Sequence, residues 1–414
     1  MISSVLGEVD GTLAAPGRRL HRLGAIPGDG IGPEVLDVAL RCLEAASRLF
    51  DFELQTTHYD LGAARYLRTG ELVPDDELAA IGGEDAVLLG AVGDPEVPPG
   101  ILERGLVLRL RTAFDLAVNV RPGRLLPNVP TVLKDLAPER LDLVVLRENT
   151  EGMYVSAGSR AHGGTPWETA VQLATNSRHA IERIAAFGFR LARLRRKRLT
   201  LCHKTNILVE AGRLWEQTVK EVAEEYPDVT LDYVHVDACC VHLLERPERF
   251  DVIVTDNLFG DIVSDLVAVV QGGMGLAPSA NLNVDGTAPS LFEPIHGSAP
   301  DIAGRGWANP AGAVFSAAMC LSHLGELDAA AALEAATADV VAQLPAMGGA
   351  AMGCSTSEVG DRIIERLQGW ANGAVPPLGT FTSSVAPAAS GRRAGGEVET
   401  VPDRAAPLAK TETS

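Results

Sequence analysis

Arg109, Arg111, Arg121 and Arg147 are spread over three segments, two of which adjoin apolar strands, where a guanidinium is normally avoided. Arg121 follows the run Ala117-Val118-Asn119-Val120, and Arg147 follows Leu143-Val144-Val145-Leu146. Both are therefore expected at strand C-terminal ends, where α/β proteins place their ligands. Planar forks of five donors suit bidentate capture of carboxylates, although structural ion pairs use the same side chains. In Asn257-Leu258-Phe259-Gly260-Asp261-Ile262-Val263-Ser264-Asp265, Asp261 and Asp265 stand four apart on a predicted helix and share one face. Asp237 follows another strand-like run, Tyr233 to Val236. Hard oxygen ligands without a His or Cys partner suit Mg²⁺ or Mn²⁺ rather than zinc; taken alone, the helical pair reads equally well as a solvated face. Lys204 follows the strand expected to end at Cys202, where a lysine that loses solvent becomes a proton acceptor. Carboxylate clamps, a hard cation and a basic nitrogen together specify a hydroxy acid being oxidised.

Two further segments suit a nucleotide. Pro27-Gly28-Asp29-Gly30-Ile31-Gly32-Pro33-Glu34 joins a predicted strand to a predicted helix, with Pro33 in the first turn. Its glycines let a ligand approach the backbone, or simply make a tight turn. A Rossmann fingerprint would need glycine where Pro33 stands, although Asp51 lies at a tempting distance for a ribose contact. Glu293-Pro294-Ile295-His296-Gly297-Ser298-Ala299-Pro300-Asp301-Ile302-Ala303-Gly304 is a turn-forming loop with one imidazole and one free carboxylate. Such a loop could hold adenosine, or cap the helix that follows. Asp301 would accept bonds from both ribose hydroxyls and repel a 2′-phosphate, favouring NAD over NADP.

The elements that must position these residues follow from hydrophobic periodicity. Strand-like runs (Leu23 to Ile26, Glu53 to Tyr59, Ala86 to Val92, Leu141 to Leu146, Leu199 to Cys202, Val229 to Val236, Asp251 to Thr255) alternate with helical patterns at Pro33 to Phe50, Arg178 to Leu191 and Gly212 to Glu225. This is an α/β chain with a mostly parallel sheet flanked by helices. Its 414 residues suffice for two domains, and 36 Lys+Arg against 54 Asp+Glu give a net charge of −18, which argues against nucleic acid or an anionic membrane as partner. No apolar run approaches the roughly 18 residues of a membrane helix, and no targeting segment is visible, so a cytoplasmic protein is expected. The six cysteines, including the vicinal Cys239-Cys240, form no C-x-x-C pair and read as reduced, mostly buried thiols. The basic run Arg190 to Arg198 reads as a solvated helix C-terminus. Ser156 to Pro166 reads as a loop or protruding arm, and residues 1–20 and 371–414 as disordered extensions.

Taken in order, these segments resemble the β-decarboxylating dehydrogenases that act on isopropylmalate, isocitrate, homoisocitrate, tartrate and malate, over about residues 22–368. The resemblance implies that family's two-domain fold, which is not a Rossmann fold. Residues 21–117 with 273–370 would form the cofactor side, and 118–272 the dimerisation, metal and substrate side. It implies that Arg111, Arg121 and Arg147 grip the substrate carboxylates and that Asp237, Asp261 and Asp265 hold Mg²⁺ or Mn²⁺, with Asp237 also facing substrate. Lys204 takes the hydroxyl proton and Tyr154 donates a proton after decarboxylation. NAD would be held by Gly28, Gly30, Ile31, Glu293, His296, Gly297, Ser298, Ala299, Asp301 and Asn309. Lys204 and Asp237 would come from the partner in a homodimer clasped by the Ser156 to Pro166 region. Val107 and Leu108, the i−4 and i−3 neighbours of Arg111, are expected to suit a branched alkyl substituent, as in 3-isopropylmalate of leucine biosynthesis. Arg104, at i−7, would instead greet an acidic substituent, as in isocitrate, homoisocitrate, tartrate or D-malate members, and Glu103 could match the family's pocket glutamate. A non-catalytic regulatory subunit is the competing class, with little need of Lys204, Tyr154 and the aspartates together.

Overall fold

The computed structural model describes residues 19–369. The disorder expected of the extensions lies outside that range, apart from Arg19 and Leu20, the latter of which opens the first strand. The chain begins with β1 (Leu20–Gly28), α1 (Gly32–Phe50), β2 (Glu53–His58), α2 (Ala63–Thr69), α3 (Asp75–Ile81), β3 (Ala86–Ala91), α4 (Leu108–Ala113), β4 (Val118–Arg124) and β5 (Asp142–Glu148). A hairpin of β6 (Gly158–Ala161) and β7 (Thr169–Gln172) precedes α5 (Arg178–Leu194), β8 (Arg198–His203), α6 (Val209–Ala223), β9 (Thr230–His235) and α7 (Val236–Glu245). It closes with β10 (Val252–Thr255), α8 (Asn257–Val270), β11 (Pro278–Leu282), β12 (Ser290–Pro294), α9 (Ala311–His323), α10 (Leu327–Val341) and α11 (Thr356–Gly369).

Ten strands form one sheet in the order β2-β1-β3-β12-β11-β4-β5-β10-β8-β9. Pairing is parallel except at β12/β11, β11/β4 and β4/β5, so the expected mostly parallel sheet carries an antiparallel centre. That centre corrects one expectation. Arg121 lies inside β4 opposite Val145, not at the strand's C-terminal end, because β4 runs against β5; its N-terminal half shares an edge with Arg147 near the end of β5.

α1 shows how local sequence sets an element. Pro33 and Glu34 occupy its first turn, its Val35, Leu36, Val38, Ala39, Cys42, Leu43 and Ala46 are buried, and Asp51 caps it in a left-handed conformation (φ 59°). Asp51 is thus a helix stop. The basic run does fall at the end of α5, but it is not simply solvated: Arg195 donates from Nε to the buried Asp251 (2.8 Å) and from Nη2 to Asp142 (2.9 Å). The six cysteines are free, and Cys42, Cys202, Cys239 and Cys320 are buried. The β6–β7 arm stands exposed, with Trp167 77% accessible at its turn. Among the described residues, no helix is long and apolar enough to cross a membrane.

Candidate active site

The two predicted cofactor loops, far apart in sequence, are locked together through their backbones. The Ile31 amide donates to the Ser298 carbonyl (2.8 Å), and the Asp29 carboxylate accepts from the amides of Ala63 (2.7 Å) and Gly93 (3.0 Å). The Gly304 amide donates to Glu34. Gly30 has φ 57°, and a Cβ there would stand 2.0 Å from the Ser298 carbonyl oxygen, so only glycine permits this approach. Gly28 is constrained likewise against Ala91. Gly297 and Asp301 are exposed, and Ala299 is left-handed (φ 40°). Burial lowers the His296 pKa, and its Nε2 has no hydrogen-bond partner. Asn309 is placed differently: buried, it accepts from the Ala311 amide (3.0 Å) and donates to the Met347 carbonyl (3.3 Å), tying down the start of α9.

Arg111, Arg121 and Arg147 converge as anticipated, and all three are buried. Arg147 and Arg121 both reach Oδ1 of Asp261, the latter at 3.2 Å, while Tyr154 donates its hydroxyl to Oδ2 (2.8 Å). Arg147 also donates to Asn257 (2.9 Å) and lies 4.8 Å over the Tyr154 ring. Arg121 donates to Ser264 (2.7 Å) and stands 3.7 Å from Asp265. Arg111 is 3.5 Å from Glu293, and its Nε is unpartnered. Burial, then mutual repulsion, pulls Arg121 down to about 10 and lowers Arg111 too. Burial alone would raise Asp261, but Arg147, Arg121 and the Tyr154 hydroxyl outweigh it and hold its carboxyl below the ordinary range. Asp265 is raised, by burial and then by repulsion from Asp261. Arg109, grouped with these arginines in sequence, points elsewhere and pairs with the exposed Asp75.

An amide ladder that sequence reading missed supports the cluster from within the sheet. Asn119 accepts from Arg121 Nε (2.8 Å) and donates to Ser279 (3.0 Å) and Asn281 (2.6 Å); Asn281 donates to Glu293 (2.9 Å) and accepts from Asn149 (2.9 Å). Asn119 and Asn281 face each other in the β4/β11 pair, a match that only the antiparallel register creates. Ser264 and Asn257, which bind Arg121 and Arg147, stand in the same segment as Asp261 and Asp265.

Lys204 and Asp237 do not join this cluster. They pair with each other (Nζ to Oδ1, 2.5 Å), and that bond depresses the Asp237 pKa. Among the described residues, no group of three or more His, Cys, Asp or Glu side chains could hold a metal ion. The three-aspartate set is thus not assembled within one chain.

The helix before Arg111 opens with a π-turn, Glu103–Val107, before α4 continues it. The wider turn changes which side chains share a face. Leu108 and Arg104, together with Tyr154 and Thr150, line a cleft of about 580 Å³, whereas Val107 is not part of its wall. Glu103 turns the other way, accepting from the Gly100 amide (2.9 Å).

Glycine-turned loops beside a buried set of guanidinium and carboxylate groups define an α/β enzyme that handles small acids. Comparison narrows this: the isocitrate/isopropylmalate dehydrogenase family model matches residues 22–363, and the chain belongs to that family. It is 52% identical over 348 residues to 3-isopropylmalate dehydrogenase of Corynebacterium glutamicum, spanning 84% of this chain and 99% of that protein. The enzyme of the same name from Nocardia farcinica is 52% identical over 342 residues, covering 83% and 98%. Among solved structures, isocitrate dehydrogenase from Methylococcus capsulatus superposes with a TM-score of 0.76 at 37% identity, covering 84% of this chain and 99% of that one.

Proposed function

We propose that this protein catalyses the NAD-dependent oxidative decarboxylation of 3-isopropylmalate to 4-methyl-2-oxopentanoate, a step of leucine biosynthesis, as a cytoplasmic homodimer using Mg²⁺ or Mn²⁺. The observation that carries the reading is the convergence of Arg121, Arg147 and Tyr154 on Asp261, with Arg111 and Asp265 beside them. Arg111, Arg121 and Arg147 supply three positive charges against three negative ones on Asp261, Asp265 and Glu293. A divalent cation and a dianionic diacid leave that balance unchanged, which matters where the groups are buried.

The donors suit the cation: two hard carboxylates on one helix face, with Asp265 raised by burial and by repulsion from Asp261, a repulsion that a divalent cation would relieve. Asp237 is the third ligand, brought with Lys204 by a second copy whose exposed arm (Trp167, Val171, Leu173) supplies apolar surface for the clasp. Residues 21–117 with 273–370 would form the cofactor-side domain, and 118–272 the domain carrying metal, substrate and interface. Gly28, Gly30, Ile31, the loop from Glu293 to Asp301 and Asn309 hold the dinucleotide.

When bound, the dinucleotide accepts a hydride from C2 and the cation polarises the hydroxyl and adjoining carboxylate. The chain's own residues do the rest. The arginines fix both carboxylates and so the orientation of C2. Lys204 takes the hydroxyl proton. Tyr154, whose phenol burial raises above its usual value and so keeps protonated, returns a proton to C3 once CO₂ has left. Tyr154→Phe is expected to lower kcat by about 100-fold while KM for the diacid stays within about threefold, read in steady-state assays. Gly30→Ala should separate the paired loops, lowering the thermal midpoint and raising KM for NAD by about tenfold or more, with KM for the diacid less affected.

Leu108 makes the cleft beside Tyr154 apolar enough for a branched alkyl group. Arg104 on the same wall favours a second reading, a substrate with an acidic 3-substituent. Substrate profiling with Mn²⁺ and NAD⁺ tests both. The proposal requires the highest kcat/KM for 3-isopropylmalate; a higher value for isocitrate, homoisocitrate, tartrate or D-malate overturns the substrate, and no metal-dependent NADH formation by the purified protein would leave a regulatory subunit.

A further inference from the structure

His203 ends β8 immediately before Lys204 and is 0% exposed, yet neither ring nitrogen has a hydrogen-bond partner. Such an imidazole costs about 1–3 kcal/mol for each unmet polar group, so its presence in the core calls for a reason. Packing alone does not supply one. The ring is stacked on Trp215 of α6 (5.8 Å) and meets Phe259 of α8 edge-on (5.6 Å), a slot that phenylalanine would fill without unmet polar atoms.

One nitrogen instead faces a specific group. Nε2 of His203 stands 3.6 Å from Oδ2 of Asp256, just beyond hydrogen-bond range. Asp256 is the N-cap of α8: its other oxygen accepts from the Phe259 amide (2.7 Å), so it sets where the helix bearing Asp261 and Asp265 begins. Burial pushes His203 down to about 4 and Asp256 up to about 6; near neutral pH the imidazole is uncharged and its N–H can point at the carboxylate.

We propose that His203 is a positioning residue that joins the strand end carrying Lys204 to the cap of α8, so that the two halves of the site, separate within one chain, are set relative to each other through the His203–Asp256 contact. This rests on the reading under which Lys204 and the α8 aspartates serve one reaction. It adds a mechanical link inside each chain between the lysine lent to a second copy and the carboxylates kept for its own site.

The test uses His203→Phe, which keeps the ring packing, and His203→Gln, whose amide N–H restores a donor near Nε2. Wild-type turnover of 3-isopropylmalate is measured first, and its absence would count against the proposed function instead of this link. His203→Phe is expected to lower kcat by about tenfold, with KM for the diacid within about twofold and an unchanged or higher thermal midpoint, and His203→Gln to recover most of the loss. Hydrogen exchange should quicken at both 204–208 and 257–260 in the Phe variant, a readout independent of turnover. Should that variant fold poorly, His203→Leu replaces it, and combining His203→Leu with Asp256→Asn, which preserves the cap and removes the carboxylate, should cost no more than the worse single change. His203→Phe with wild-type kcat and unaltered exchange at both segments would overturn the proposal, as would fully additive losses in the double variant.

Discussion

Replacing Lys204 by methionine is expected to abolish nearly all turnover, lowering kcat by about 1,000-fold or more while KM for the diacid stays within about threefold. The separation of effects follows from geometry. On the proposed reading Arg111, Arg121 and Arg147 bind the substrate carboxylates, and the cluster they form is separate from Lys204, whose ammonium donates to Asp237. Methionine keeps the length and apolar stem of lysine, and the residue it replaces lies at a partly exposed strand end. The fold should therefore survive, with a thermal midpoint within a few degrees of wild type. Asp237 loses the ammonium that depresses its pKa, so the carboxyl returns toward its ordinary value. Full turnover by this variant would remove Lys204 from the mechanism.

Arg147→Met should damage binding and stability together. Arg147 is 1% exposed, and its guanidinium links Asn257, Asp261 and the Tyr154 ring. Gly260 lets α8 lie directly on the arginine stem, since a Cβ there would stand 2.6 Å from Arg147 side-chain carbons. Methionine refills the stem and leaves Asp261 half-paired. Breaking a buried pair costs about 3–5 kcal/mol, but Asp261 keeps 36% of its side chain in contact with solvent, so about 2–3 kcal/mol is the expected loss. KM for the diacid should rise about 100-fold. The pH dependence has a definite sign. In the wild type Asp261 has a depressed folded pKa, so its stabilising contribution is complete above the unfolded value of about 3.9 and fades as the pH falls through the folded value. Without Arg147 the burial penalty gains weight and the folded pKa rises toward or past the unfolded value, so this group's acid-induced loss of stability shrinks or reverses, and the gap in thermal midpoint between wild type and variant should narrow as the pH falls below about 4.

What sequence could and could not reveal divides along physical lines. Periodicity exposes elements made by local pattern: the buried stripe of α1, the Gly28–Glu34 turn and the Asp261/Asp265 face depend on residues a few positions apart. The direction of β4 does not, because antiparallel pairing with β5 and β11 is decided by long-range packing, and with it went the position of Arg121 and the Asn119–Asn281 ladder. Counting back from Arg111 on an unbroken α-helix put Val107 beside Leu108 on the pocket wall, whereas the π-turn Glu103–Val107 takes Val107 out of it and leaves Leu108 and Arg104 there. Arg109 illustrates the reverse error: two positions from Arg111, its guanidinium leaves the buried cluster, pairs with Asp75 and lines the cleft beside Leu108. The motifs around Lys204 and Asp237 were legible, but their distance from the Asp261 cluster in a single chain was expected only through the family resemblance, since the residues themselves carry no direct mark of which copy a side chain serves.

That last point allows the most direct test of the account. Lys204→Met and Tyr154→Phe chains, each nearly inactive, are unfolded together, refolded as a mixture and assayed with 3-isopropylmalate. If each site takes its arginines and Tyr154 from one chain and its lysine from the other, every mixed dimer holds one intact site, and random pairing should restore about one quarter of wild-type activity. A mixture that shows only the summed residual activities of its two parents, although mixed dimers have formed, would contradict a site shared between chains.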